Sequence, residues 1–160
     1  MLNIRKASKS DIELLIKLRI DFLFESYGGS FSDDEIDKLK IQLNGYFPKY
    51  MDNGNFIAAI AETDDKVAGT AFMVINEIPA NITAFKTGKK ALILNVFTYP
   101  EYRCQGIATK LMELLIDEAK KANASFIELS ASSMGKPVYE KVGFEEHSHG
   151  DYTEMRLKLL

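Results

Sequence analysis

Cysteine occurs once in the 160 residues, histidine twice and tryptophan not at all, and only four prolines interrupt the chain. A lone Cys104 can form no intramolecular disulfide and no structural zinc site, so the chain reads as a protein of a reducing cytoplasm. Two histidines, His147 and His149, are too few for a catalytic metal centre, and no metal is expected. Charge of one sign is also scarce. Twenty Lys and Arg stand against 23 Asp and Glu, leaving a net charge of −3 without long runs, so neither nucleic acid nor a membrane surface is an expected partner. The apolar stretches at 67–75 and 91–97 fall short of the ~18 residues of a membrane span. Residues 1–15 interleave charges with apolar positions and carry no signal-peptide core.

What is present is the composition of an ordinary globular domain, 46% hydrophobic and 27% charged. No repeat, linker or low-complexity segment divides it, so residues 1–160 are expected to form a single domain. At roughly this length a fold buries about 70% of its extended surface, enough for a core with a recessed site. Residues 2–7 read as a strand. Ser10-x-x-Glu13 and Ser32-x-x-Glu35 are capping boxes that predict two helices, the first ending near Ser26 and the second before Asn44-Gly45. Residues 55–63 and 66–75 predict a hairpin turning at Asp64-Asp65, and 76–90 a surface loop. The near-continuous apolar run 91–98 predicts a central strand. A long helix follows, with Ile107, Leu111, Leu114, Leu115, Ala119 and Ala122 inward. Residues 125–131 predict a strand, 135–142 a short helix with Pro137 in its first turn, and 144–149 with 152–160 an antiparallel pair.

A central strand that passes through an Arg- and Gly-containing turn into a helix brings the unpaired N–H groups of the helix to one point, where an anion binds. Gly106 permits close approach of a ligand to the backbone, small Ala108 does nearly the same, and a diphosphate suits such a turn. Neither a P-loop nor a dinucleotide fingerprint is present.

The whole constellation is more specific than the turn. Asn95-Val96-Phe97-Thr98-Tyr99-Pro100-Glu101-Tyr102-Arg103-x-x-Gly106-x-Ala108, a long helix, Ser130-Ala131-Ser132-Ser133, and Pro137-Val138-Tyr139-Glu140-Lys141-Val142-Gly143-Phe144 follow one another. This series resembles the GCN5-related N-acetyltransferase (GNAT) superfamily over essentially the whole chain. The resemblance implies an α/β (α+β) fold: a mixed, mostly antiparallel sheet with a V-shaped splay between its fourth and fifth strands, flanked by about four helices. It also implies an N-acetyltransferase that moves acetyl from acetyl-CoA directly to a primary amine of a small molecule, peptide or protein through a ternary complex. By that resemblance, backbone groups of Phe97 and Thr98 would bind the acetyl carbonyl and pantetheine. The N–H groups of Arg103, Cys104, Gln105, Gly106, Ile107, Ala108 and Thr109 would cradle the pyrophosphate, and Tyr139 would protonate the departing thiolate. A phenol with an ordinary pKa of ~10 keeps its proton at neutral pH and can donate it.

Three positions depart from the family pattern. Cys104 stands where glycine is frequent, and Ser132 where an asparagine often contacts the cofactor. Lys89-Lys90-Ala91 occupies the stretch where some members carry a general-base glutamate. Asp21, Glu25 and Glu77 remain as water-relayed bases or as plain surface carboxylates. Cys104 could be read as an acyl-accepting nucleophile, but no histidine lies near it in sequence and direct transfer needs none. A non-catalytic CoA-binding sensor is the alternative function, favoured if Cys104 and Ser132 mark decay of the site. The acceptor amine is expected at 27–31, the helix from Ser32 and the 76–90 loop. Phe31, Tyr46, Phe47 and Phe85 could line its pocket or belong to the core, and a homodimer is left open.

Overall fold

The computed structural model describes residues 1–148 and 150–160. In chain order the elements are β1 (Leu2–Lys6), a 3-10 turn (Lys9–Asp11), α1 (Ile12–Tyr27), α2 (Asp33–Asp52), β2 (Phe56–Thr63), β3 (Lys66–Glu77) and β4 (Lys89–Thr98). A 3-10 turn (Pro100–Tyr102), α3 (Ile107–Lys121), β5 (Ile127–Glu128) and α4 (Lys136–Lys141) follow. The sheet runs β1-β2-β3-β4-β5, antiparallel up to β4 and parallel between β4 and β5. No helix among the described residues is long and apolar enough to cross a membrane.

Both faces of the sheet are covered, which is why its strands are nearly continuous in apolar residues. Strand alternation sends Ile57, Ala59 and Ala61 of β2 to one face with Ile107, Leu111, Met112 and Leu115 of α3. Phe56, Ala58 and Ile60 go to the other, with Leu15 and Ile16 of α1 and Leu43 and Phe47 of α2. Asp64 and Asp65 join β2 to β3 with φ of 50° and 61°, the backbone of a tight hairpin turn, as their sequence predicts.

Helix α2 does not stop at Asn44-Gly45 but runs through Gly45 and Pro48 to Asp52. Phe47, 1% exposed, holds it down, with ring centroids 4.9 Å from Phe56 and 5.8 Å from Phe72. Such packing offsets helix penalties of about 1 kcal/mol for Gly and about 3 for Pro. Phe47 thereby belongs to the core, and Tyr46 packs partly buried on the same cluster. The box that forms is not the expected one and lies on the 3-10 turn ahead of the first helix: Asp11, not Glu13, closes on Ser8, accepting from its N–H at 2.7 Å. The capping box Ser32 to Glu35 forms as the sequence predicts.

The C-terminal pair of strands is not formed. Residues 144–148 and 150–160 hold no strand, and Tyr152, Met155, Leu157 and Leu159 are exposed; His149 lies outside the described residues. The expected strand 125–131 shrinks to Ile127–Glu128, because β5 leaves β4 after two paired residues. No strand edge then runs beside 144–148, and an isolated two-stranded hairpin is marginal in water.

Candidate active site

The sheet opens where β4 and β5 part. Ala91 pairs with Ile127 and Leu92 with Glu128; beyond them β4 continues to Thr98 with no described strand on that edge. This is the splay that the sequence resemblance implies.

The backbone groups that face the opening follow from hydrogen-bond alternation. Tyr99 N–H donates to the Ala68 carbonyl at 3.0 Å, so Tyr99 and, two residues earlier, Phe97 turn their backbone groups toward β3. Thr98 turns the other way, and its carbonyl accepts from Arg103 Nε at 2.9 Å. By the same alternation Val96 shares the open edge with Thr98. The cause is a bulge. The register slips between Thr70 and Phe72, opposite Asn95, whose φ is 56°. Side chains record the switch too: Ala91 and Ile93 face α3, and after the bulge it is Val96 that does so. Of the two positions expected to bind the acetyl carbonyl and pantetheine, Thr98 therefore faces the opening and Phe97 faces β3, and the sequence did not single out Val96, which shares that edge. A polar residue tolerant of left-handed backbone inside an apolar strand was the available signal.

After Thr98 the chain turns through Pro100–Tyr102 into α3. Cys104 and Gly106 both take left-handed backbone, with φ of 60° and 77°. Gly106 is the N-cap of α3 and supplies no side-chain cap; the first intrahelical bond runs from Lys110 N–H to its carbonyl. The N–H groups of Ile107, Ala108 and Thr109 are thus left as donors at the positive end of the helix dipole. A Cβ on Gly106 would meet nothing within 4 Å, so the approach to these donors is open. Cys104 is exposed, and Gln105 donates to the Glu101 carbonyl at 3.3 Å. Arg103 also pairs with Glu25, tying the turn to α1.

Ser132 and Tyr139 come together around the start of α4. Ser132 Oγ accepts from Gly135 N–H at 3.1 Å, and a Cβ on Gly135 would lie 3.2 Å from the Tyr139 hydroxyl and 3.3 Å from Ser132 Oγ. Burial pushes the Tyr139 phenol above its ordinary value, so it holds its proton firmly. Its ring packs edge-on to Phe144 at 6.2 Å.

The carboxylates weighed as bases are all engaged. Asp21 accepts from the Tyr99 hydroxyl and from Lys17, Glu25 from Arg103, and Glu77 lies 3.9 Å from Lys89. Among the described residues no group of three or more His, Cys, Asp or Glu could hold a metal ion. A concavity of about 470 Å³ lies between Ile16 and Ile20 of α1 and Ile36, Lys40 and Asn44 of α2. It coincides with part of the region expected to meet the acceptor. Phe31 packs on Phe24 and Phe85 on Phe126, at 5.2 and 5.0 Å.

The family model for the acetyltransferase (GNAT) family matches residues 19–144. A crystal structure of a predicted acetyltransferase with acetyl-CoA from Clostridium acetobutylicum is 36% identical and superposes with a TM-score of 0.81, over 98% of this chain and 96% of that one. A GCN5-related N-acetyltransferase from Ralstonia eutropha is 20% identical, with a TM-score of 0.79 over 99% of each chain, and shares the fold. An uncharacterized N-acetyltransferase of Archaeoglobus fulgidus is 27% identical over 128 residues, 80% of either chain.

Proposed function

Since the chain belongs to the acetyltransferase (GNAT) family, we propose that it transfers acetyl from acetyl-CoA directly to a primary amine, with both substrates bound at once. One observation carries this reading: the edge of β4 that no described strand pairs leads, through the turn over 99–106, to the N-terminus of α3, which no side chain caps. The donors that an acyl-CoA requires are on that path. The N–H groups from Cys104 to Thr109 would hold the pyrophosphate, where helix dipole and backbone donors act together, with Arg103, whose own N–H donates to the Pro100 carbonyl at 3.3 Å, at the start of that turn. The N–H group of Val96 would receive the thioester oxygen as negative charge develops on it, and the backbone of Thr98, one repeat further along the same edge, would hold the pantetheine. Ser132 would add a hydroxyl contact to the cofactor.

In the transfer, the neutral amine's lone pair attacks the thioester carbon and the C–S bond breaks. Tyr139 gives its proton to the departing sulfur, and the new amide nitrogen releases its extra proton to water. Tyr139 is then reprotonated from solvent. Retention of a half-buried phenol that keeps its proton at this position supports catalysis over a sensor that only binds CoA. Cys104 stands aside, since direct transfer forms no bond to the protein.

The test is amine-dependent release of free thiol from acetyl-CoA, together with calorimetric binding of CoA. Gly106→Asp puts a negative charge and bulk against the donor turn and should weaken CoA binding at least tenfold in a folded variant. Equal affinity would remove the pyrophosphate from this turn.

The lone cysteine supports a reducing cytoplasm as the setting. A homodimer is supported by the alternating apolar residues Met155, Leu157 and Leu159, all exposed in a single copy.

A further inference from the structure

Beside the bulge of β4 lies a cation without a counter-ion. Arg19 of α1 is half-buried and donates from one guanidinium nitrogen to Asn95 Oδ1 at 3.1 Å. Its guanidinium stands over the Phe22 ring at 5.7 Å, and it forms no ion pair among the described residues. The nearest carboxylates on its own helix are taken: Asp21 by Lys17 and Tyr99, Glu25 by Arg103. The phenols of Tyr27 and Tyr46 are the other titratable groups that bear on it, and burial pushes the Tyr46 phenol above its ordinary value. Desolvation accordingly works against its charge. A half-buried, uncompensated guanidinium is disfavoured unless something pairs with it, and four of its five N–H donors have no partner here.

Asn95 repeats the pattern. It is 3% exposed, stands in left-handed backbone, and its Nδ2 has no hydrogen-bond partner among the described residues. Buried amide donors are rarely left so. Two adjacent side chains, one cationic and one neutral, thus keep donors unspent at one place. That place is one residue from Val96, whose N–H faces the open edge of β4. A residue spans about 3.3 Å of strand, so a group held by Arg19 and Asn95 lies within a few bonds of the reacting centre.

We propose that Arg19 and Asn95 bind the carboxylate of the acceptor, and that the acceptor is a compact amine bearing a carboxylate a few bonds from the nitrogen, as in an α-amino acid. The proposal rests on the acetyl-transfer reading and names the substrate class of that site. The planar fork of the guanidinium matches two carboxylate oxygens, while Asn95 Nδ2 supplies a further donor to one of them. Asn95 Oδ1 keeps the fork in place by accepting from its other side. The anion also neutralises Arg19, so the pair is completed only when acceptor is bound.

Calorimetry with the full chain and CoA tests this, using L-amino acids, their C-terminal amides and the corresponding 1-aminoalkylphosphonates as probes. At least one amino acid should bind more tightly than its amide by about 10- to 100-fold, the worth of one charge-assisted hydrogen bond. Arg19→Gln should abolish that ratio while leaving CoA affinity unchanged. Arg19→Lys, which keeps the charge and loses the fork, should restore part of it, and circular dichroism reports whether each variant is folded. Equal affinity for acids and amides, no binding by any acid, or a ratio that survives Arg19→Gln in a folded protein overturns the proposal. Tighter binding of the phosphonates overturns the carboxylate assignment in favour of a phosphate-bearing amine. Thiol release with uncharged amines but no carboxylate preference refutes this inference alone. Absence of thiol release with every amine refutes the parent reading, whatever calorimetry finds.

Discussion

Tyr139 is the residue on which turnover should depend most. Tyr139→Phe removes a proton donor and almost no volume, so acetyl-CoA affinity should hold while kcat falls by about 10² to 10⁴. Rapid-quench kinetics that isolate the chemical step provide the check, and an unchanged rate would reduce Tyr139 to packing against Phe144. With Asp21, Glu25 and Glu77 each facing a cation, the proposed transfer would leave the acceptor amine to lose its proton largely by its own acidity. For a lysine-like amine near pKa 10.4 that costs roughly 3–4 kcal/mol more than for an α-amino group of 7.7 to 8.0 if pH is well below both. The pH profile of kcat/KM should therefore rise through the acceptor's own titration, and Ala at any of the three carboxylates should leave that limb in place. A variant that loses it would identify a base. Away from the site, Arg5 donates twice to Asp11 at 2.8 Å and, with the Ser8 N–H, holds its carboxyl down from 3.8 to about 2. Across that window the unfolded chain binds more protons than the folded one. The stabilisation is present above 3.8 and is lost as pH falls through about 2. Asp11→Asn should lower stability at neutral pH by about 1–2 kcal/mol and flatten the acid limb of a urea-melt series; an unaltered limb would show that the ion pair contributes nothing there.

At the scale of elements, the end of β4 depends on a close approach from β3. A Cβ on Gly69 would lie 2.6 Å from the Phe97 carbonyl oxygen and 3.2 Å from the Thr98 Cα. Gly69→Ala must push the two strands apart, at a cost of about 1–3 kcal/mol. It should also displace Val96 and Thr98, so thiol release should fall further than the loss of stability explains; wild-type melting and activity together would contradict this placement of the site. The same elements show how far the sequence can be read. The hairpin at Asp64-Asp65, the apolar run of β4 and the turn into α3 were legible because each rests on local chemistry: left-handed backbone, strand-length apolar runs, a glycine before a helix. The continuation of α2 through Gly45 and Pro48 was not, because it depends on Phe47 meeting Phe56 and Phe72 across the core. Nor was the exchange of Phe97 for Val96 at the open edge, since one extra residue at Asn95 reverses the alternation downstream. Ser132 and Tyr139 could be named from their motif, but their meeting at Gly135 required the fold.

For the whole molecule, one surface stands out. Met155, Leu157 and Leu159 alternate along the C-terminal segment and, like Tyr152, are exposed, while β5 ends the sheet. A second copy closing this face predicts sedimentation at twice the mass of one chain, returning to one on removal of residues 151–160. A full-length chain that stays monomeric at high concentration would contradict the homodimer. The proposed path carries the acetyl group from acetyl-CoA in the splay to an amine at the open edge of β4. It is tested most directly by mass spectrometry of the reaction with ¹³C-acetyl-CoA and the best acceptor of an amine panel. The account predicts one labelled acetyl on the acceptor nitrogen for each free CoA, at a rate that depends on both substrates, and no label on the protein. Label on Cys104, or thiol released as labelled acetate without acylated amine, would contradict it.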